Sequence, residues 1–344
     1  MNVMTRAIRF SAVTVTMIAL ASLCGPAEAK SNPGKQLLSA AVKGDTATVQ
    51  EMLSQGADPN YSDREGCAPL IVAAGGCSYA VSVGAKGEIK STPTESLGTV
   101  EMLRALLAAG ANPDAAKVNG TSALMSAARF GRTDSVRALL DAHARPNLRD
   151  VDGVTALLLA ARFGKAEAVD LLLEASADPE ISDASGRTAL HWAAGEGQTQ
   201  VVTRLVKAGA TLDAKAGPQI TPLAMAVNGD KIDAVRVLLA AGADAKRSDS
   251  NGQTWLMSAA FGGNVEVMSA LVAAGADLNA RDKSGFTALS NAAYSGHGPA
   301  VTWLLEHGAE VNARAKDGAT ALATARKRGH PDVAKLLEAK GGTE

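Results

Sequence analysis

The sequence predicts an all-α repeat solenoid of stacked helix–turn–helix units. Three observations carry this expectation. Gly-x-Thr-Ala-Leu stands at Gly153–Leu157, Gly186–Leu190, Gly285–Leu289 and Gly318–Leu322, with variant copies at Gly120–Leu124, Gln219–Leu223 and Gly252–Leu256. Leu124, Leu157, Leu190, Leu223, Leu256, Leu289 and Leu322 keep a constant step of 33 residues, and such a period marks a stacked array rather than a globule with one central core. Aromatics make up only 3% of the chain and alanine dominates its apolar share, which suits thin helical layers in close contact.

Gly186–Ala214 shows how one copy folds. Thr188 caps a first helix whose Leu190, Ala193 and Ala194 fall on one side. Gly197 ends it, because a left-handed C-terminal position favours a residue without Cβ. Val201, Val202, Leu205 and Val206 then follow the spacing of a second helix, closed by Gly209. The polar stretch Ala214–Gln219 leads on as an extended loop. Neither helix can bury its stripe alone, so copies must stack.

This unit resembles the ankyrin repeat. Thr188-Ala189-Leu190-His191 matches that family's Thr-Pro-Leu-His with one change, and Ala193-Ala194, Val201-Val202 and Gly209-Ala210 match its later signature. Gly-Ala-Asp or a near equivalent recurs at Gly56, Gly110, Gly242, Gly275 and Gly308. The resemblance implies β-hairpin-like loops between helix pairs. It also implies a partner protein held by the loop tips and the exposed side of the first helices, along a concave groove.

Residues 30–344 read as one array of about nine units including caps. Leu37–Ala41 opens it without a preceding Thr-x-Leu loop, and the stretch from Thr320, with Lys327, Arg328, Lys335 and Lys340, closes it. Terminal copies need polar outer faces. Leu70 to Leu124 is 21 residues longer than one period, which places an insertion at about 75–98, between the two helices of its unit. It is rich in Gly, Ser, Thr and Lys and is expected to form either a tolerated loop or a flap that touches the partner.

Met1–Arg9 is basic, Phe10–Leu23 is apolar and short, and Ala27-Glu28-Ala29 is a small-x-small exit. Together they predict a signal peptide over 1–29, cut after Ala29, and hence a periplasmic or secreted protein. A buried helix or retained anchor is the competing reading. Leu23 before Cys24 argues against a lipid anchor, whose peptidase reads small residues at that place. The full chain carries net charge -1, which gives no electrostatic footprint for nucleic acid. No later stretch is long and apolar enough to span a membrane.

Cys67 and Cys77 remain after cleavage, and an even count in an oxidising compartment invites a disulfide. A regular helix over Leu70–Gly76, rising about 1.5 Å per residue, would hold them too far apart. The bond then requires the insertion to fold Cys77 back. The histidine after Thr-x-Leu survives only at His191; Met125, Leu158, Ala224, Met257, Ser290 and Ala323 replace it. The Gln219 copy, with Pro218 before it and Asn228-Gly229-Asp230 at its turn, is irregular. Trp192 and Trp303 lie on apolar stripes and are expected in the core, whereas Trp255 replaces a small residue and is expected nearer the surface.

No histidine pair has the spacing of a helical metal site, and no nucleophile elbow or phosphate-cradling loop is present. The sequence therefore points to a non-enzymatic, monomeric protein-binding module without a cofactor. The candidate partner-binding residues are Lys117, Asp150, Arg187, Asp249 and Asp282 at loop tips, and Arg129, Phe130, Arg162, Phe163, Phe261 and Tyr294 at the ends of first helices. Aromatics and arginine are enriched among interface hot spots; the competing reading has the rings cover the inter-helix turns. One alternative is an inhibitor or immunity-like protein capping an exported enzyme. Another is an enzyme whose site lies in the insertion, where Glu88 and Glu95 are the only acids.

Overall fold

The computed structural model describes residues 32–77, 80–83, 89–92, 98–217 and 219–344. The expected signal peptide and Cys24 lie outside them, as do Tyr79, Glu88 and Glu95 of the insertion and Pro218. The chain divides into two compact units, Met1–Val118 and Asn119–Glu344.

The first unit holds α1 (Pro33–Val42), α2 (Thr46–Ser54), α3 (Pro69–Ala73), β1 (Ala80–Val83), β2 (Ile89–Thr92) and α4 (Val100–Ala108). Asn32 caps α1 by accepting from the Lys35 N–H, and Pro33 sits at its first turn, where a missing N–H costs nothing. Asp45 and Thr99 cap α2 and α4 in the same way. The insertion is not wholly irregular: β1 and β2 pair antiparallel, with Ala80 opposite Thr92 and Val83 opposite Ile89.

The second unit is a row of helix pairs: α5 (Ala123–Phe130) with α6 (Thr133–Asp141), α7 (Ala156–Arg162) with α8 (Ala166–Glu174), and α9 (Ala189–Glu196) with α10 (Thr199–Lys207). Then come α11 (Pro222–Asn228) with α12 (Ile232–Ala240), α13 (Trp255–Gly262) with α14 (Val265–Ala273), α15 (Ala288–Ser295) with α16 (Gly298–Glu306), and α17 (Ala321–Arg328) with α18 (Pro331–Ala339). First helices stack on first helices and second on second. At every junction but α11–α13 the first helices are in more extensive contact than the second helices.

The packing follows from residue size. The motif leucines 124 to 322 are buried, as are the alanine pairs 127–128, 160–161, 193–194, 259–260 and 292–293. Alanine there lets neighbouring first helices lie close, and each buried leucine is worth roughly 1.5–3 kcal/mol against leaving it in water. Thr155, Thr221, Thr254, Thr287 and Thr320 accept from the N–H three residues on, so the motif threonine is the N-cap.

Loops join loops across the stack. Val151 N donates to Asn119 O at 3.0 Å, Ala184 N to Asp152 O at 2.8 Å, Lys283 N to Asn251 O at 2.9 Å and Lys316 N to Ser284 O at 2.9 Å. Among the described residues no such bond joins Gly217 to Ser185. There the chain closes on itself instead, in a bridge between Ala216 and Ile220. The same copy departs at its inter-helix turn. Asp230, at φ +58°, fills the left-handed slot that glycine holds one period away on either side, in Gly197 and Gly263.

Candidate protein-binding face

The loop-tip aspartates are turn builders. Asp150 Oδ1 accepts from the N–H groups of Asp152 (3.0 Å) and Val154 (2.8 Å). Asp249 does the same for Asn251 and Gln253, and Asp282 for Ser284 and Phe286. Asp183 repeats the pattern and receives the Trp192 Nε1–H on its other oxygen at 3.0 Å. Burial pushes the Asp150 carboxyl above the usual carboxylate range, against the lowering pull of its backbone N–H partners. One oxygen of each of these carboxylates is thus committed to the fold. Lys117 lies in the first unit, where its backbone packs against Gly66. At a loop tip of the second unit, Val151 is 72% exposed.

The ring-bearing row is a more open surface. Phe130 (45% exposed), Phe163 (38%) and Tyr294 (40%) are among the most exposed large apolar side chains of the described residues, and Phe261 is half-buried. They do not form one continuous stripe. Phe130 and Phe163 share one repeat position, Phe261 and Tyr294 the position before it, and Gly195 and Asn228 stand between the two groups. A Cβ on Gly195 would come within 2.8 Å of Met225 Cε, so nothing larger fits there without a shift.

Each group has its own arginines, one in the Phe261 and Tyr294 group and three in the Phe130 and Phe163 group. The Phe261 and Tyr294 rings lie 6.1 Å apart, and the Arg328 guanidinium sits 4.0 Å over Tyr294. In the other group the Arg129 guanidinium lies 5.6 Å from the Phe130 ring and 5.0 Å from Phe163. Arg162 lies 5.6 Å from Phe163 and 4.3 Å from Trp192, and Arg187 lies 5.0 Å from Trp192. Rings and guanidiniums therefore alternate from the end of α5 to the loop before α9.

The expectations for the three tryptophans need correcting. Trp192 is a half-buried rung of this ladder rather than a core residue, and Trp303 is half-buried against His307, with ring centroids 3.9 Å apart. Trp255 is buried, at 3% exposed, and its Nε1–H has no partner among the described residues. The disulfide that the sequence left open is present: the structure joins Cys67 to Cys77, with Cα atoms 6.4 Å apart. The condition for it is met, since α3 stops at Ala73 and Gly75, at φ +101°, turns the chain back.

Other residues have structural tasks that the sequence did not flag. Asn279 donates to Gly308 O (3.3 Å) and accepts from Glu310 N (2.9 Å), clamping one repeat to the next. Asn60, Asn147 and Asn312 make the same pair of bonds. Their signal was the period itself, since Asn147, Asn279 and Asn312 fall in one repeat position.

Among the described residues, no group of three or more His, Cys, Asp or Glu is placed to hold a metal, and no helix is long and apolar enough to cross a membrane. A ridged stack with paired helices and bonded loop tips defines a repeat-solenoid binding module. The family model for ankyrin repeats in three copies matches residues 95–150, 142–216, 212–282 and 275–343. The chain belongs to the ankyrin-repeat family, whose arrays generally mediate protein–protein interaction. No curated protein matches it.

Proposed function

We propose that this is an exported, non-enzymatic protein that binds a partner protein through the first-helix face of its second unit. One observation carries the reading: in a chain with few aromatics, Phe130, Phe163 and Tyr294 stand exposed at the ends of first helices, each beside an arginine. Aromatic and arginine side chains on a rigid scaffold lose little freedom on binding. The disulfide between Cys67 and Cys77 supports a periplasmic or extracellular setting, because such bonds persist where thiols are oxidised.

Cross-linking capture from the native compartment tests the face. Replacing Phe130, Phe163, Phe261 and Tyr294 together by serine should weaken capture while preserving the helical circular dichroism signal; undiminished capture discards the reading. Export is tested separately by sequencing the mature N-terminus, expected to start at Lys30. An intact Met1 in the fractionated protein would refute cleavage.

A further inference from the structure

We infer that the ladder Phe130–Arg129–Phe163–Arg162–Trp192–Arg187 is a docking strip for an extended, acidic peptide segment, with carboxylates over the guanidinium edges and apolar side chains between them. This rests on the proposed binding face and names the partner's chemistry. A guanidinium stacked on a ring gives up its face but keeps its N–H edge free for a carboxylate. Arg129 lies within 5.6 Å of two rings at once, and so does Arg162. Arg129 forms no ion pair among the described residues, and Arg162 has only a long one, to Glu196 at 3.8 Å. The rings thus hold two cations in place, and the protein's own acids leave them largely unneutralised.

The occupant's spacing follows from the scaffold. Stacked helices lie roughly 8–10 Å apart, and an extended chain advances about 3.3 Å per residue. Successive arginines therefore meet carboxylates about three residues apart, and the exposed Phe130 and Phe163 rings face the apolar residues between them. Single-stranded nucleic acid is the other polymer that meets arginine and aromatic rings. It fits less well, because the Phe163 and Trp192 rings already carry guanidiniums where bases would stack.

The test uses the purified mature protein and a fluorescein-labelled 15-residue peptide of repeated Glu-Leu-Ser, read by fluorescence anisotropy. Its Gln-Leu-Ser counterpart and a labelled oligothymidylate run beside it. The glutamate peptide should bind, weaken at least about tenfold with the Arg129→Gln/Arg162→Gln double variant, and weaken further as salt screens the charges. No binding of the glutamate peptide, equal binding of the glutamine peptide, unchanged affinity in the double variant, or tighter binding of oligothymidylate overturns the inference. The broader reading fails differently: it is lost if native-partner capture ignores the ring substitutions. If capture needs the rings but tolerates Arg129→Gln/Arg162→Gln, the face stands and the acidic occupant falls.

Discussion

His191 reaches across a repeat junction, its Nε2 lying 3.0 Å from the carbonyl oxygen of Ile220. The Thr188 backbone N–H points at Nδ1 from 3.2 Å. Nδ1 must therefore accept, which places the ring proton on Nε2 and makes the neutral imidazole the bridging form. The ring is 0% exposed, and burial pushes its pKa below the ordinary value, outweighing the raising effect of the Ile220 and Ala214 carbonyls.

A pH dependence follows. With the folded pKa lowered, the unfolded chain binds the proton more readily between the two values. His191 therefore contributes stability above its ordinary pKa of about 6.5, and that contribution is lost as pH falls towards the lowered folded value. Urea midpoints measured from pH 7.5 to 5 should fall, and His191→Gln should flatten part of that slope. An identical slope in the variant would show that another group is responsible.

His143 and Ser176 offer a gain. They sit at φ +65° and +63°, in the position where neighbouring repeats have Gly110 and Gly209. A Cβ at either of those glycines meets nothing within 4 Å, so the strain at this position is in the backbone alone. His143→Gly and Ser176→Gly should each stabilise by about 0.5–1 kcal/mol. A drop in thermal midpoint for both variants would show that these side chains make compensating contacts.

Gly296 behaves in the opposite way. At φ +77°, a Cβ there would lie 2.6 Å from the His330 ring. Gly296→Ala combines left-handed strain with a clash and should cost about 1–3 kcal/mol, read as a lower urea midpoint with an unchanged slope.

Asn279→Ala removes both bonds of one inter-repeat clamp and leaves the Glu310 N–H without its partner. A loss of about 1–2 kcal/mol is expected, with faster hydrogen exchange in the loops flanking the junction. Wild-type exchange at those amides would mean that water replaces the clamp.

Reduction should act on the first unit. The Cys67–Cys77 bond spans a sequence separation of 10, and closing so short a loop is worth about 2–3 kcal/mol by chain entropy. In protein lacking residues 1–29, and with them Cys24, thiol titration should find two accessible cysteines only after reductant is added. Two free thiols beforehand would contradict the bond.

Periodicity made the helix pairs readable, because each Thr-x-Leu and each closing glycine states a local rule that the backbone obeys. Side-chain destinations were less readable. Phe130 and Phe261 look like one row in sequence, yet a shift of one residue on a helix turns a side chain by about 100°, and the rings fall into two groups. Trp255 and Trp192 exchanged expected environments because burial depends on neighbouring repeats, which a single copy does not encode. The Cys67–Cys77 bond was open in the sequence because it depends on α3 ending at Ala73, a choice made by Gly75 and the insertion rather than by helix propensity. The asparagine clamps are not legible in one copy, because a polar residue in a loop looks the same whether it serves water or the next repeat.

The α11–α13 junction has a thermodynamic consequence. In a one-dimensional stack, cooperativity is carried by nearest-neighbour coupling, and the junction where first helices are least in contact is where a boundary between folded and melted repeats costs least. Fraying that starts at α18 should advance through the more extensively joined copies and pause there. Partial unfolding of the second unit would then leave α5–α12, with its arginine and aromatic ladder, still folded.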